Sequence, residues 1–216
     1  ETAMKNVISD KVLGLQPSGI RKFFDIVSEM DDVISLGVGE PDFDTPWHIR
    51  DEGIYSLERG RTFYTSNAGL KELREEICRY LSRRCKVDYT IDETLITVGG
   101  SEAIDLAMRV LLNPGDEVLT FAPYFGEYRA YVTNYGGILK EVEPNTETFQ
   151  PNLKKFEQML SEKTKAVIVN TPNNPTGVVY SEETIKKMAA IMEAKQKEYG
   201  TETVSYTHLT LPTTER

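Results

Sequence analysis

The chain alternates short apolar runs with longer segments in which apolar residues recur every three or four positions. The short runs predict strands, and the longer segments predict amphipathic helices. The run 166–169 is apolar throughout, which is typical of a strand buried on both faces of a parallel sheet. Strands and helices in this rhythm predict an α/β protein with a doubly wound sheet. The predicted strands are 95–98, 117–121, 138–142 and 166–169.

The same pattern predicts three amphipathic helices. The second helix ends before Asn113-Pro114-Gly115. The third begins at its N-cap Ser181, carries acidic residues in its first turn and ends at Gly200. The predicted inward positions are Leu70, Leu73, Ile77 and Leu81 in the first helix, Ala103, Leu106, Ala107, Val110 and Leu111 in the second, and Ile185, Met188, Ala189 and Met192 in the third.

Composition and charge narrow the class of protein. The chain has 216 residues, of which 39% are hydrophobic and 27% charged, as in globular proteins. The net charge of -9 argues against nucleic acid or an anionic membrane as a partner, because both favour a basic surface. No apolar run approaches the roughly 20 residues that cross a bilayer, and the N-terminus lacks a signal-peptide core. We therefore expect a cytoplasmic protein.

Metal chemistry has no support in the sequence. The histidines, His48 and His208, have no matching ligand cluster. Cys78 and Cys85 stand without a second pair, so we expect reduced thiols rather than a zinc site or a disulfide. No metal is expected.

A rigid polar loop follows the apolar run 166–169. It reads Asn170-Thr171-Pro172-Asn173-Asn174-Pro175-Thr176-Gly177. The prolines fix φ on either side of Asn173 and Asn174, so both side chains are presented with little freedom left to lose on binding. Open α/β sheets bind ligands beyond the carboxyl ends of their strands, which makes this loop a candidate site. An ordinary surface turn is the alternative.

Two further turns are expected at the same edge of the sheet. Gly99-Gly100-Ser101-Glu102 opens a helix, where glycine amides and the positive helix end suit a phosphate, although simple capping by Ser101 is the alternative. Pro123-Tyr124-Phe125 follows strand 117–121, and Phe125 can stack on a ring or fill the core. Together these turns predict a pocket for a flat phosphorylated cofactor.

Six motifs in this order resemble those of the class I and II aminotransferases of pyridoxal-phosphate fold type I. The resemblance extends from about residue 7 to residue 199. It implies an incomplete large domain of that three-layer, mostly parallel α/β fold, with pyridoxal phosphate as cofactor. The motifs are Gly39-Glu40-Pro41-Asp42-Phe43-Asp44-Thr45-Pro46, Tyr64 with Ala68-Gly69-Leu70-Lys71-Glu72-Leu73-Arg74, Val98-Gly99-Gly100-Ser101-Glu102-Ala103, Pro114-Gly115-Asp116-Glu117-Val118, Pro123-Tyr124-Phe125 and Asn173-Asn174-Pro175-Thr176-Gly177.

The resemblance implies roles for individual residues at the cofactor. Gly100, Ser101 and Glu102 would hold the phosphate through their amides and the serine hydroxyl. Phe125 would stack on the pyridine ring, where many relatives carry tryptophan or tyrosine. Asn174 would donate a hydrogen bond to the oxygen at position 3 of the ring.

The resemblance also implies substrates and a partner. The substrates would be an amino acid and a 2-oxo acid, contacted by Asn174 and by Gly39, which would offer its backbone to the α-carboxylate. The family forms homodimers with shared sites, in which Tyr64 would reach the phosphate of the neighbouring subunit's cofactor. No nucleic acid or membrane partner is implied.

The chain departs from the family pattern after the asparagine loop. Transamination needs a lysine that forms a Schiff base with the cofactor, an aspartate at the ring nitrogen and an arginine for the substrate carboxylate. No aspartate follows Asp116, and the only arginine after Asn174 is Arg216. The later lysines, which are Lys186, Lys187, Lys195 and Lys197, all fall on one predicted surface helix. We expect no catalytic residue here and no activity from this chain alone.

The resemblance and the change in composition suggest three segments. Residues 1–47 would be an N-terminal arm and small-domain segment, and residues 48–202 the N-terminal part of the large cofactor-binding domain. Residues 203–216 are threonine-rich and are interpreted as a divergent, non-native tail. A short terminal strand over 203–211 is the alternative for the tail.

Two classes of function remain open on the sequence. One is an aminotransferase of which this is the N-terminal half, or a related carbon–sulfur lyase or cyclopropane-carboxylate synthase that shares the early motifs. The other is a non-catalytic fragment with residual phosphate or partner binding.

Overall fold

The computed structural model of the chain describes residues 7–14, 26 and 43–208. The described part divides into two compact units, with the boundary between Ala103 and Ile104. We call residues 43–103 the helical unit and residues 104–208 the sheet unit. The elements in chain order are α1 (Asp10–Leu13), α2 (Trp47–Glu58), α3 (Lys71–Cys85), a 3-10 turn (Ile91–Glu93), α4 (Gly99–Leu111), β1 (Glu117–Phe121), α5 (Tyr128–Thr133), β2 (Ile138–Val142), α6 (Leu153–Met159), β3 (Thr164–Asn170), α7 (Glu182–Tyr199) and β4 (Val204–His208).

The sheet unit is built on a parallel four-stranded sheet in the order β2-β1-β3-β4. In the register, Val118 of β1 lies beside Leu139 of β2 on one side and Ala166 of β3 on the other. Almost every residue of β3 is buried, as its uninterrupted apolar run predicts. The parallel α/β architecture expected from the sequence is confirmed.

Side chains of the central strands alternate between two apolar clusters. Leu119 and Val167 face a cluster that contains Phe156 of α6 and Met188 of α7. Val118, Ala166 and Ile168 face the other cluster, which contains residues of α4 and α5. Helices therefore cover the sheet on both faces, which gives the three layers of a doubly wound fold.

Helix α7 follows its sequence signals closely. The Ser181 hydroxyl accepts a hydrogen bond from the Thr184 N–H, and Gly200 adopts a left-handed conformation at the C-terminal end. Met188 and Met192 are buried, whereas Ile185 and Ala189 lie at the surface. The predicted inward positions are therefore confirmed for Met188 and Met192 and wrong for Ile185 and Ala189.

Helix α4 is confirmed, but part of its predicted inner face is wrong. Ile104 and Met108 are the buried residues of the helix, and Leu112 directly after it is also buried, while the predicted Val110 is 83% exposed. Ala107 and Leu111 of the predicted stripe do pack against the cluster. Apolar residues occur around much of this helix, so the pattern fits more than one rotation, and packing against β1 and β3 selects the face.

The predicted strand 95–98 is wrong. The segment has no strand partner among the described residues, and the Ile96 N–H donates instead to the Ala68 carbonyl at 3.1 Å. Residues with strong β propensity extend the backbone, but a strand forms only beside a neighbour that takes up its hydrogen bonds. Leu95 and Val98 remain exposed.

The C-terminal segment contains a strand. Residues 204–208 form β4, which pairs in parallel with β3, and Ile168 lies beside Tyr206. This agrees, over residues 204–208, with the alternative interpretation of a short terminal strand over 203–211; residues 209–216 lie outside the described part of the chain. The foreign origin of the tail stays a prediction, because any sequence of suitable β propensity can occupy this place.

Candidate functional site at the carboxyl edge of the sheet

The asparagine loop begins where β3 ends, at the carboxyl edge of the sheet. Asn170 is the last residue of β3 and is 4% exposed. Its side-chain oxygen accepts a hydrogen bond from the Asn174 N–H at 2.7 Å, and its side-chain nitrogen donates to the His208 carbonyl at 3.2 Å. The loop is thus tied at its base to the sheet, and its Thr171–Pro172 and Asn174–Pro175 peptide bonds are cis.

The two neighbouring asparagines of the loop differ in role. Asn173 is buried, and its side-chain nitrogen donates at 3.0 Å to both the Pro123 carbonyl and the Thr176 hydroxyl. Asn174 is half-buried, and its carboxamide takes part in none of the hydrogen bonds found among the described residues. The sequence predicts that both carboxamides are presented to a ligand. Of the two, only that of Asn174 has no hydrogen bond to the described part of the chain.

The aromatic turn after β1 lies against this loop. Phe125 is half-buried and meets Tyr128 edge to face, with the ring centroids 5.7 Å apart. Because Asn173 binds the Pro123 carbonyl, the turn and the loop are joined by a direct hydrogen bond. The structure therefore brings Phe125 and the Asn174 loop to one edge of the sheet, beyond β1 and β3.

A polar cluster beside Phe125 was missed by sequence reasoning. The Tyr124 hydroxyl donates to Glu141 Oε1 at 2.8 Å and accepts from Arg129 Nη2 at 3.2 Å, and Arg129 also pairs with Glu141. Burial and the hydrogen bond to Glu141 raise the pKa of Tyr124. The three residues lie on separate elements, so no local motif connects them. Together they fix the far side of the aromatic turn.

The Gly-Gly-Ser turn forms the first turn of α4 and lies in the helical unit. Gly99 has a φ of +80°, and a side-chain carbon placed on Gly100 would meet no atom within 4 Å. The Glu102 carboxylate turns back and accepts the Val98 N–H. The Gly99 N–H donates to the Thr97 carbonyl at 2.9 Å, whereas the N–H groups of Gly100, Ser101 and Glu102 have no partner within the helix, and Ser101 is exposed beside them. That this turn and Phe125 share one crevice stays a prediction.

The remaining predicted contacts lie elsewhere in the chain. Tyr64, in the helical unit, is fully exposed. Gly39 lies outside the described residues. Its predicted contact with a substrate, like that of Tyr64 with a partner subunit, stays a prediction.

The late lysines are engaged in ion pairs along α7. Each contacts a glutamate of the same helix, as the surface interpretation predicts. The pairs are Lys186 with Glu182 and Lys187 with Glu183 at 2.6 Å, Lys195 with Glu198 at 2.7 Å and Lys197 with Glu193 at 2.6 Å.

Among the described residues, no helix has both the length and the apolar character needed to span a membrane.

Similarity to a solved structure and to a family model identifies the fold and the family of the chain. A structure of aspartate aminotransferase from Thermus thermophilus with maleate matches it with a TM-score of 0.82 and 35% identity, over 93% of this chain and 53% of that chain. The chain therefore has the α/β fold of the fold-type I aminotransferases. The family model for aminotransferase class I and II matches residues 31–197, so the chain belongs to this family.

Two curated relatives extend the comparison. The putative aminotransferase YugH of Bacillus subtilis is 50% identical over 188 residues, which are 86% of this chain and 49% of the relative. The probable aspartate aminotransferase of Methanocaldococcus jannaschii is 41% identical over 187 residues, which are 87% of this chain and 49% of the relative. The chain thus spans about half the length of the curated relatives it matches.

Proposed function

We propose that the chain is the cofactor-binding part of a pyridoxal-phosphate aminotransferase, which moves an amino group from an amino acid to a 2-oxo acid in a ping-pong exchange. The observation that carries the proposal is that the half-buried ring of Phe125 lies at the same edge of the sheet as the Asn174 carboxamide, which has no hydrogen bond to the described residues. Phe125 and Asn174 are held at one edge of the sheet by the bond between Asn173 and the Pro123 carbonyl. A ring that carries a hydroxyl group suits this pair.

The first turn of α4 suits the phosphate of the cofactor. Free N–H groups at a helix N-terminus bind anions, and the space over Gly100 is open. Ser101 can add its hydroxyl. Because the Glu102 carboxylate is turned toward Val98, we propose that Glu102 contributes its backbone N–H rather than its side chain.

The residues of the sheet unit suit the ring of the cofactor. Phe125 would cover one face and exclude water from it. The Asn174 side-chain nitrogen would donate a hydrogen bond to the oxygen at position 3 of the ring. Pyridoxal phosphate, when bound, supplies an electron sink for the carbon that gains or loses the amino group. The residues of this chain would bind and orient it.

The substrate and partner contacts are proposed on the family resemblance. Gly39 would offer its backbone to the substrate α-carboxylate, with Asn174 close by. The exposed Tyr64 would reach the cofactor phosphate of a second subunit in a cytoplasmic homodimer. Residues 1–47 would belong to the arm and small domain and residues 48–202 to the large domain.

Pyridoxamine phosphate is the appropriate probe of binding, because it cannot form a Schiff base with a lysine. We expect the 216-residue chain to bind it in a calorimetric titration. Ser101→Ala and Asn174→Ala should each weaken binding about tenfold, the effect of losing about one net hydrogen bond.

Ser181→Ala is the matched control for Ser101→Ala, since it removes a serine from the start of α7 instead of α4. It should leave the affinity for pyridoxamine phosphate unchanged. A wild-type chain that does not bind the probe, or a control that weakens binding as much as Ser101→Ala, would contradict the proposed site.

We further propose that this chain alone does not catalyse transamination. The late lysines are paired along α7 and none is proposed to react selectively with the cofactor. Borohydride treatment in the presence of pyridoxal phosphate should give no dominant adduct at a single lysine. A specific adduct mapped by mass spectrometry, or amino-group transfer above the rate of the free cofactor, would refute this. A carbon–sulfur lyase and a non-catalytic fragment are the alternatives.

A further inference from the structure

Asn170 makes contacts that join three parts of the sheet unit. It ends β3, its side-chain oxygen accepts the Asn174 N–H at 2.7 Å, and its side-chain nitrogen donates to the His208 carbonyl of β4 at 3.2 Å. A carboxamide has one acceptor oxygen and a nitrogen with two donor hydrogens, so both ends of this side chain are used. Asn170 thus connects the strand end, the loop and the neighbouring strand.

The position of these contacts matters for Asn174. The hydrogen bond that Asn170 accepts holds the backbone of Asn174 itself, rather than a distant part of the loop. The other limb of the loop is fixed separately, because the Tyr180 N–H donates to the Thr171 hydroxyl at 2.9 Å. Within these contacts, Asn170 is the side chain that holds the backbone of Asn174.

We propose that Asn170 is a positioning residue for the cofactor site. Its buried carboxamide fixes the Asn174 backbone and so aims the Asn174 side chain at the ring oxygen of the cofactor. This inference rests on the proposed function for its ligand, whereas the tie between Asn170 and Asn174 is a property of the free chain. The two can therefore be tested separately.

Two substitutions separate the contacts of Asn170. Asn170→Ala removes the hydrogen bonds to the Asn174 N–H and to the His208 carbonyl. Asn170→Asp keeps an oxygen that can accept the Asn174 N–H but removes the donor to the His208 carbonyl. Asn152→Ala is the matched control, because Asn152 also accepts a backbone N–H through its side-chain oxygen, from Lys155 at 3.1 Å at the start of α6.

The test measures hydrogen exchange of the Asn174 amide in the free chain, pyridoxamine phosphate affinity and the melting temperature of each variant. In Asn170→Ala we expect exchange at Asn174 to be about tenfold faster and the affinity about tenfold weaker. Asn170→Asp should melt lower but keep both readouts within about twofold of the wild type. Asn152→Ala should melt lower and leave both unchanged.

Three results would overturn the inference. They are unchanged Asn174 exchange in Asn170→Ala, loss of Asn174 protection in a folded Asn170→Asp, and changes in the control as large as those in Asn170→Ala. If Asn170→Ala does not fold, the exchange of the Asn174 amide in Asn170→Asp decides whether the inference holds. If the variants show the expected differences in Asn174 exchange but the wild-type chain does not bind pyridoxamine phosphate, the hydrogen bond between Asn170 and Asn174 is supported and the proposed function is refuted.

Discussion

The sheet unit and the helical unit differ in how their elements are held. Every buried residue of the described chain lies in the sheet unit, where side chains of the central strands meet helices on both faces. In the helical unit, α2 and α3 bury no residue. Most of its described side-chain hydrogen bonds join residues no more than four positions apart, such as that from Arg79 Nη2 to Glu76 Oε1 at 2.6 Å. Regular helices form in both units, but only one has a core.

A helical pattern does not by itself measure how much a helix contributes to stability. Tertiary packing supplies most of the stability of helices in proteins, and local capping and ion pairs add smaller amounts. Substitutions in the sheet unit should therefore have large effects, and equivalent substitutions in the helical unit should have small ones.

The largest expected difference is between two phenylalanines. Phe156 of α6 is fully buried and contacts the ring of Phe121, with centroids 5.3 Å apart, whereas Phe63 is 88% exposed. Phe156→Ala should lower the free energy of unfolding by about 3–5 kcal/mol, because it leaves a cavity. Phe63→Ala should change it by less than about 0.5 kcal/mol. Urea unfolding followed by circular dichroism measures both, and equal effects would contradict the comparison.

The asparagine loop should show the next largest effect. Asn173→Ala removes the donor to the Pro123 carbonyl and to Thr176, which leaves acceptors unpaired near the core. The free energy of unfolding should fall by about 1–3 kcal/mol. Asn67→Ala, at an exposed position of the helical unit, is the control and should be nearly neutral. A neutral Asn173→Ala would show that the loop is held by other contacts.

Alkaline pH should destabilise the sheet unit through Tyr180. Burial raises the pKa of Tyr180 to about 12, while an unfolded tyrosine ionises near pH 10. Its neutral form therefore stabilises the fold fully below about pH 10, and this contribution is lost as the pH rises toward 12. Tyr180→Phe should reduce the fall of the urea midpoint across that interval. An unchanged pH profile would refute the assignment to Tyr180.

The smallest effect should be at Glu93 of the helical unit. Its carboxylate accepts from the Thr90 N–H at 2.9 Å and the Thr90 hydroxyl at 2.8 Å, and these bonds lower the pKa of Glu93. The contribution is present above the unfolded pKa of about 4.3 and is lost as the pH falls below it. Glu93→Gln should remove this dependence, and the exposed Glu52→Gln should not. Melting by circular dichroism in acid distinguishes them.

Strands β1, β2 and β3 and helix α7 were predictable because local and tertiary signals agree there, whereas α5 and α6 were not predicted. The run 166–169 could only be a buried strand or a short buried helix, and its length and β-branched residues favour the strand. Ser181 and Gly200 mark the ends of α7 through bonds made within a few residues. The conflict at 95–98 arose because a strand needs a neighbour, which no local pattern supplies.

The candidate site was predictable in part. Motifs identify the asparagine loop, the aromatic turn and the start of α4, because each is a short segment at a strand end. The difference between Asn173 and Asn174 is not visible in two identical letters. It depends on where the Pro123 carbonyl lies, some 50 residues earlier in the chain. The contacts of Glu141 with Tyr124 and Arg129 were missed for the same reason.

The family, the alternation of strands and helices, the ends of α7 and the segments that carry the candidate site can all be read from the residue order. These depend on spacing and on interactions within a few residues, which the order of residues specifies directly. The tertiary structure alone decided which face of α4 is buried, that 95–98 has no strand partner in the described chain, and that Asn170 and Asn173 hold the loop while Asn174 stays free. Each of these depends on atoms that folding brings together from distant positions.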